Sequence, residues 1–282
     1  MAIKTALFGA GQAGAMVMKL LPPECDLVCF IDNDSKKHGS EYLGLPVVSL
    51  ADVCADNIER VYICVLGKGR TEEIEAQLSA SGCKAEVVRA SDFARWDVRG
   101  AAVRLIAEEI ERRGVRGSVA ELGVYRGDMA AVLNEVFPDR TLHLFDTFEG
   151  FTASDVATEH VHGYSEAQNG DFSDTDANAV LARLSDAEMA VVHKGHFPET
   201  FAGCESESFA LVSLDADLYE PTVAALPLFW DRLASGGAII VHDYNSARFA
   251  GVGAAVREFC AAGKIYPLPL CDLHGSAVLI RQ

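Results

Sequence analysis

The sequence is poor in basic charge: 24 Lys and Arg stand against 41 Asp and Glu, a formal charge of −17 over 282 residues. A surface of that sign repels phosphate backbones and anionic lipid, and no local basic cluster offsets it, so neither nucleic acid nor a membrane is expected as a partner. Long hydrophobic runs are also missing. No apolar stretch approaches the roughly 18 residues of a membrane span, and Met1-Ala2-Ile3-Lys4 leads straight into a strand-like run, which makes a cytoplasmic protein the expectation. Of the eight cysteines, none forms a CxxC pair, and most sit in apolar context as buried reduced thiols do. With 50% hydrophobic and 23% charged residues, the chain has what a folded core requires.

What is present is a glycine loop, twice. Ile3 to Phe8 reads as a short strand, Gly9-Ala10-Gly11-Gln12-Ala13-Gly14 follows, and Ala15 to Leu21 reads as a helix. That is the order of a dinucleotide-binding half, and a second strand, Leu27 to Ile31, ends in Asp32 where a ribose-binding carboxylate belongs. Further strands at Arg60 to Val65 and Ala85 to Val88 flank a helix at Thr71 to Ser81. This unit is too short to grip a whole dinucleotide. Gly9, Gly11, Gly14 and Asp32 are candidate nucleotide contacts, and the same glycines would equally serve tight turns.

After a linker near Ala90 to Gly100 the pattern restarts. A helix over Ala101 to Arg113 is expected to turn Ala102, Leu105, Ile106 and Ile110 inward. The strand beginning at Val119 then runs through Glu121 into Gly123-Val124-Tyr125-Arg126-Gly127. An acid before two glycines suits a cofactor carrying an ammonium and a sulfonium, and it would repel a pyrophosphate. The motif fits Rossmann-like methyltransferases. Twenty-five residues after Glu121, the strand Leu142 to Phe145 ends in Asp146, placed to accept ribose hydroxyls or, alternatively, to close an Asx turn before Thr147.

Later strands also end in polar groups: Ala190 to His193 runs toward Gly195 and His196, Phe209 to Leu214 into Asp215, and Ala238 to Val241 into His242 and Asp243. Ligands of open α/β sheets sit beyond such carboxyl ends. Asp215, His242 and Asp243 are therefore candidate ligands of a divalent metal; helix caps and a core histidine are the alternative.

Residues from about 100 to 282 resemble the macrocin O-methyltransferase family, which uses S-adenosylmethionine to methylate sugar hydroxyls. The matching stretches are Ala120 to Gly127, Leu142 to Gly150, Ser213 to Thr222 and Gly236 to Tyr244. The resemblance implies a magnesium ion on three aspartates. Two fall on Asp215 and Asp243, whereas the middle position is His242, which favours manganese or a softer metal, or leaves the site vestigial. The N-terminal third loosely resembles the Rossmann-like domain of bacterial sugar O-acyltransferases, carried by Phe30 to Asp34 and Gly44 to Val47, and implies a nucleotide-sugar there.

The expected fold is α/β with two Rossmann-like domains: a small nucleotide-binding-like unit over residues 1–92, and a class I methyltransferase sheet flanked by helices over 93–282. Expected cofactor contacts are Glu121, Gly123, Tyr125, Gly127, Asp146, Thr147, Gly195, His196 and Asp215. The base that takes the hydroxyl proton would be Asp215, His242 or His274. Phe151 to Asp176, polar and without clear periodicity, reads as a substrate lid. The expected substrate is a sugar or glycan hydroxyl, and a homo-oligomer is expected. A non-catalytic nucleotide-sugar-binding protein with a degenerate second domain is the alternative.

Overall fold

The computed structural model describes residues 2–53, 57–65, 67–95, 97–272 and 275–282. They form two compact units, Met1–Val98 and Arg99–Gln282, each with its own sheet.

In the first unit, β1 (Ile3–Phe8) leads into α1 (Gln12–Leu20), followed by β2 (Cys25–Ile31), β3 (Glu41–Tyr42), β4 (Leu45–Val48), α2 (Leu50–Val53), β5 (Arg60–Ile63), α3 (Lys68–Ala80) and β6 (Glu86–Arg89). The sheet order is β3-β4-β2-β1-β5-β6, parallel except for the short β3. Strand order reverses between β1 and β5, and their carboxyl ends open a cleft of about 660 Å³ lined by Gly9, Gly11, Asp32, Lys37, Cys64 and Arg70 among others. A ligand crevice belongs at such a switch point.

The second unit contains α4 (Val98–Arg112), β7 (Ser118–Leu122), α5 (Asp128–Val136), β8 (Leu142–Asp146), α6 (Ala153–His162), α7 (Ala177–Leu181), β9 (Ala190–Lys194), β10 (Phe209–Leu214), α8 (Tyr219–Arg232), β11 (Leu233–Val241), α9 (Ala250–Gly263), β12 (Leu268–Pro269) and β13 (Ala277–Ile280). Its sheet order is β12-β13-β11-β10-β7-β8-β9. β13 runs antiparallel beside β11, and the strands from β11 to β9 are parallel. The central strand β10 is buried along its whole length, as expected where helices cover both faces. Alternation divides the core: Leu144, Leu211 and Ile240 pack on one face, and Phe145, Val212, Leu214 and Phe229 on the other. Each such buried side chain contributes roughly 2 kcal/mol of transfer free energy.

Three readings of the sequence are corrected. α4 buries Val103, Ala107 and Ile110 and half-buries Ile106, so Ile106 and Ile110 turn inward as expected, while Leu105, expected inward too, is 66% exposed. The stretch read as an irregular lid contains α6, capped by the Thr152 side chain and closed by Gly163 at φ +64°. β12 and β13, which follow α9, were not expected at all. Among the described residues, no helix is long and apolar enough to cross a membrane.

Candidate active site

The polar ends of β7, β8, β10 and β11 meet at one edge of the second sheet. Parallel register brings this about, because Glu121 lies opposite both Ser213 and Leu144, and Leu214 opposite Val241. The next residue of each strand then emerges on the same side.

Gly123 is required by this convergence. At φ +85°, an added Cβ would lie 1.9 Å from the carbonyl oxygen of Asp215, so only glycine lets the first loop pass the tip of β10. Gly127, at φ +79°, turns the loop into α5 and packs against Val180. Asp146 holds the loop from the neighbouring strand: its Oδ2 accepts from Val124 N at 2.7 Å and Tyr125 N at 2.9 Å. Oδ1 accepts from Phe148 N at 2.6 Å, which is the Asx turn. The carboxylate shapes its own loop, and Oδ1 retains capacity for another donor. Thr147 is engaged in the same turn, donating to Gly150 O at 3.0 Å.

Tyr125 donates to Asp174 Oδ1 at 2.8 Å, and its ring meets Phe172 edge-on. Arg126 also pairs with Asp174, and Thr175 bonds the Tyr125 carbonyl. The 172–175 segment therefore lies on the glycine loop. Gly195 adopts φ +141° and donates its N–H to Asp146 O at 2.9 Å. His196 is tied to Asp155 of α6 at 2.9 Å and to Glu199 at 3.1 Å, and these two carboxylates raise its pKa against the opposing effect of burial.

Glu121 is 1% exposed, and its Oε2 has no hydrogen-bond partner among the described residues. Burial pushes its pKa well above the ordinary carboxylate value, against the pull of nearby Arg99. Arg99, at the start of α4, was not anticipated from sequence. Its guanidinium donates to Asp215 Oδ2 at 2.8 Å. Asp215, Glu121 and Asp272 all stabilise its charge.

Asp215, His242 and Asp243 come together as a linked ion cluster. His242 Nδ1 is 2.9 Å from Asp215 Oδ1 and 2.9 Å from Asp243 Oδ2. Although burial opposes it, the pair of carboxylates, Asp215 foremost, lifts the imidazole to about 10. The same cations hold Asp215 well below the usual range. Asp217, also unanticipated, shares a hydrogen bond with Asp243, and burial beside two other acids pushes it toward the neutral form. Asp217 and Asp243 both have left-handed backbones, φ +59° and +53°, a conformation that non-glycine residues adopt at constrained sites. His274 lies outside the described residues.

In the first unit, Gly14 packs so closely that a Cβ would lie 2.1 Å from Gly9 O, whereas Gly11 faces open space. Asp32 accepts from Ala10 N at 3.0 Å and pairs with Lys37 at 2.9 Å.

The chain is similar to known proteins. A 4'-O-methyltransferase of Streptomyces olivaceus acting on 8-demethyl-8-(2,3-dimethoxy-alpha-L-rhamnosyl)-tetracenomycin C is 28% identical over 148 residues, 49% of this chain and 56% of the relative. Demethyldecarbamoylnovobiocin O-methyltransferase of Streptomyces niveus is 27% identical over 160 residues, 50% of this chain and 58% of that one. The chain thus spans little more than half the length of these curated relatives. Among solved structures, the O-methyltransferase NovP superposes with a TM-score of 0.55 at 23% identity, covering 66% of this chain and 80% of NovP. The calicheamicin methyltransferase CalS11 superposes with a TM-score of 0.52 at 22% identity, covering 74% and 85%. Both likenesses are of fold. The model of the macrocin-O-methyltransferase (TylF) family matches residues 95–282, well over half of the chain, and the chain belongs to that family.

Proposed function

We propose that the second unit transfers a methyl group from S-adenosylmethionine to a hydroxyl of a sugar or glycan, as the names of the relatives suggest. The observation that carries this reading is the convergence of Glu121, the Gly123–Gly127 loop and Asp146 at the carboxyl ends of adjacent strands. These residues fit the cofactor. The Glu121 Oε2 is a buried acceptor with no hydrogen-bond partner among the described residues, and Gly123 lets the loop pass close over the tip of β10. When bound, the cofactor supplies an electrophilic methyl on a positively charged sulfur.

The chain's own residues orient the loop and handle the hydroxyl proton. Asp146 fixes the loop by accepting two of its amides. His242 is the base once its Nε2 has lost its proton, Nδ1–H staying between Asp215 and Asp243; in-line transfer leaves the hydroxyl proton on Nε2. Its high pKa makes it strong but mostly occupied near neutrality, so the rate is expected to rise with pH.

A divalent metal at Asp215, His242 and Asp243 would have to displace contacts that this arrangement already makes. Their donor atoms lie within 4.8 Å of one another, but Arg99 and a protonated His242 already occupy both oxygens of Asp215. A metal would have to displace that proton and compete with the guanidinium. The reaction proposed is therefore metal-independent.

For the first unit we propose a Rossmann-like nucleotide or nucleotide-sugar site in the cleft beside Gly9 and Asp32, supported by its place at the switch point and by Lys37 and Arg70 on its wall. Calorimetric titration of S-adenosylmethionine and S-adenosylhomocysteine into the full chain tests the main reading. Micromolar binding supports it. Absence of binding, with a nucleotide-sugar still bound, would turn the choice to a non-catalytic binding protein.

A further inference from the structure

A second cluster of metal-ligating groups lies on the same sheet, away from the cofactor site. His143 is on β8, three residues before Asp146 and so about 10 Å back along the strand. His193, on the edge strand β9, lies opposite Phe145, which puts it diagonal to His143 on one face of the sheet. Cys204, in the turn that precedes β10, completes the group. His143 is 5% and Cys204 2% exposed, and His193 is half-buried.

Their donor atoms face one another. His143 Nδ1 is 3.0 Å from His193 Nε2, and Cys204 Sγ is 3.8 Å from each. Tetrahedral zinc, with bonds of about 2.05 Å to nitrogen and 2.3 Å to sulfur, sets its ligands about 3.3 Å apart for two nitrogens and about 3.6 Å for nitrogen and sulfur. The observed triangle matches within a few tenths of an ångström. A point at all three bond lengths exists, roughly 0.6 Å out of the plane of the donors, leaving a fourth direction for water or another ligand.

The surroundings suit such a site. Phe145 stacks on His193 at 4.3 Å between ring centroids, and Phe209 meets His143 edge-on at 5.7 Å, which gives a dry wall. The other nitrogen of His143, Nε2, is buried without a hydrogen-bond partner among the described residues. Glu207 lies behind it: its Oε2 is 3.8 Å away and accepts from Ser118 Oγ at 2.9 Å. A carboxylate behind the far nitrogen of a ligating histidine orients the ring toward its metal.

We propose that His143, His193 and Cys204 form a binding site for zinc or a similar tetrahedral, nitrogen- and sulfur-preferring divalent cation, which clips the edge strand β9 and the 204 turn to β8. The competing description is a plain N–H···N hydrogen bond beside an inert thiol.

Cobalt(II) titration of chelator-treated full-length protein separates the two. The site gives a thiolate-to-cobalt charge-transfer band that saturates at one equivalent per chain, and zinc then displaces the cobalt and raises the Tm. Cys204→Ser and His193→Gln, checked for folding by circular dichroism, each abolish the band, while Asp215→Asn retains it. A wild-type spectrum without the thiolate band overturns the site whatever the variants do. So does a band that survives in folded Cys204→Ser.

Discussion

Arg99 and Asp215, 116 positions apart in the chain, form an ion pair at 2.8 Å in which each side chain is only 19% exposed. The pair joins the first turn of α4 to the tip of β10. It also places a permanent cation beside Glu121, His242 and Asp272, where the rest of the site is acidic or protonated.

Removing Arg99 leaves a mostly buried carboxylate facing other acids, and breaking one partner of such a pair costs on the order of 3 kcal/mol. Arg99→Ala is therefore expected to lower the unfolding free energy measured in urea by that amount. Arg99→Ala/Asp215→Asn should lose less than the sum of the single variants, because the stranded charge is gone. Additive losses would show that the two groups do not interact.

Two glycines of similar sequence context should behave oppositely. Gly123→Ala places a methyl 1.9 Å from the Asp215 carbonyl on a backbone at φ +85°, so a loss of more than about 2 kcal/mol is expected, together with loss of S-adenosylmethionine binding. Gly11, at φ −160° with nothing near its missing Cβ, should accept alanine within about 0.5 kcal/mol. Equal effects in thermal melts would overturn this account of the two loops.

Stability should fall as the solution is made alkaline. His242 is raised from 6.5 to about 10 in the folded protein, so its contribution is complete below pH 6.5, declines above it and is gone beyond pH 10. Glu121, also raised, acts in the same sense from lower pH. His242→Gln should flatten the urea midpoint between pH 7 and 10 while leaving the slope below pH 6 in place. A wild-type midpoint that rises across pH 7 to 10 would contradict the protonated imidazole.

The cleft of the first unit gives another test. Asp32 is held low by hydrogen bonds from Asp34, Lys37 and Ala10 despite the opposing desolvation, and Lys37 also bonds the Ala10 carbonyl. Lys37→Ala should loosen this loop and remove a cation from the cleft wall, weakening a nucleotide-sugar measured by calorimetry by roughly tenfold, about 1.4 kcal/mol. Unchanged affinity would place the ligand elsewhere.

The glycine loops and strand-tip carboxylates were legible because strand, glycine and acid follow one another locally, and parallel register then carries them to one edge. Arg99 was not, since it falls in the linker expected near Ala90 to Gly100, and only the packed structure puts it in the first turn of α4 beside the tip of β10. Asp217 was passed over because its role depends on sharing a hydrogen bond with Asp243, a contact between two strand tips. α6 was hidden by its composition: only Val156 among its apolar branched residues is buried, and Val161 is 81% exposed. The run Ala277 to Ile280 carried a readable strand signal, which the short, polar segment before it obscured.

The ion cluster finally predicts how metals behave at the proposed catalytic site. Since His242 Nδ1 is protonated between two carboxylates, a cation bound there must expel that proton and compete with Arg99 for Asp215. S-adenosylmethionine affinity and methyl transfer should therefore survive EDTA and gain nothing from magnesium. Cys204→Ser is the background for this measurement, because it removes the soft-metal site and leaves any remaining binding to the Asp215 cluster. In that variant, manganese titrated at pH 7 in two buffers of different ionisation enthalpy should show weak binding coupled to release of about one proton. Tight magnesium binding without proton release, together with activity lost in EDTA and restored by magnesium, would mean that His242 is a neutral ligand. The base would then have to be sought elsewhere.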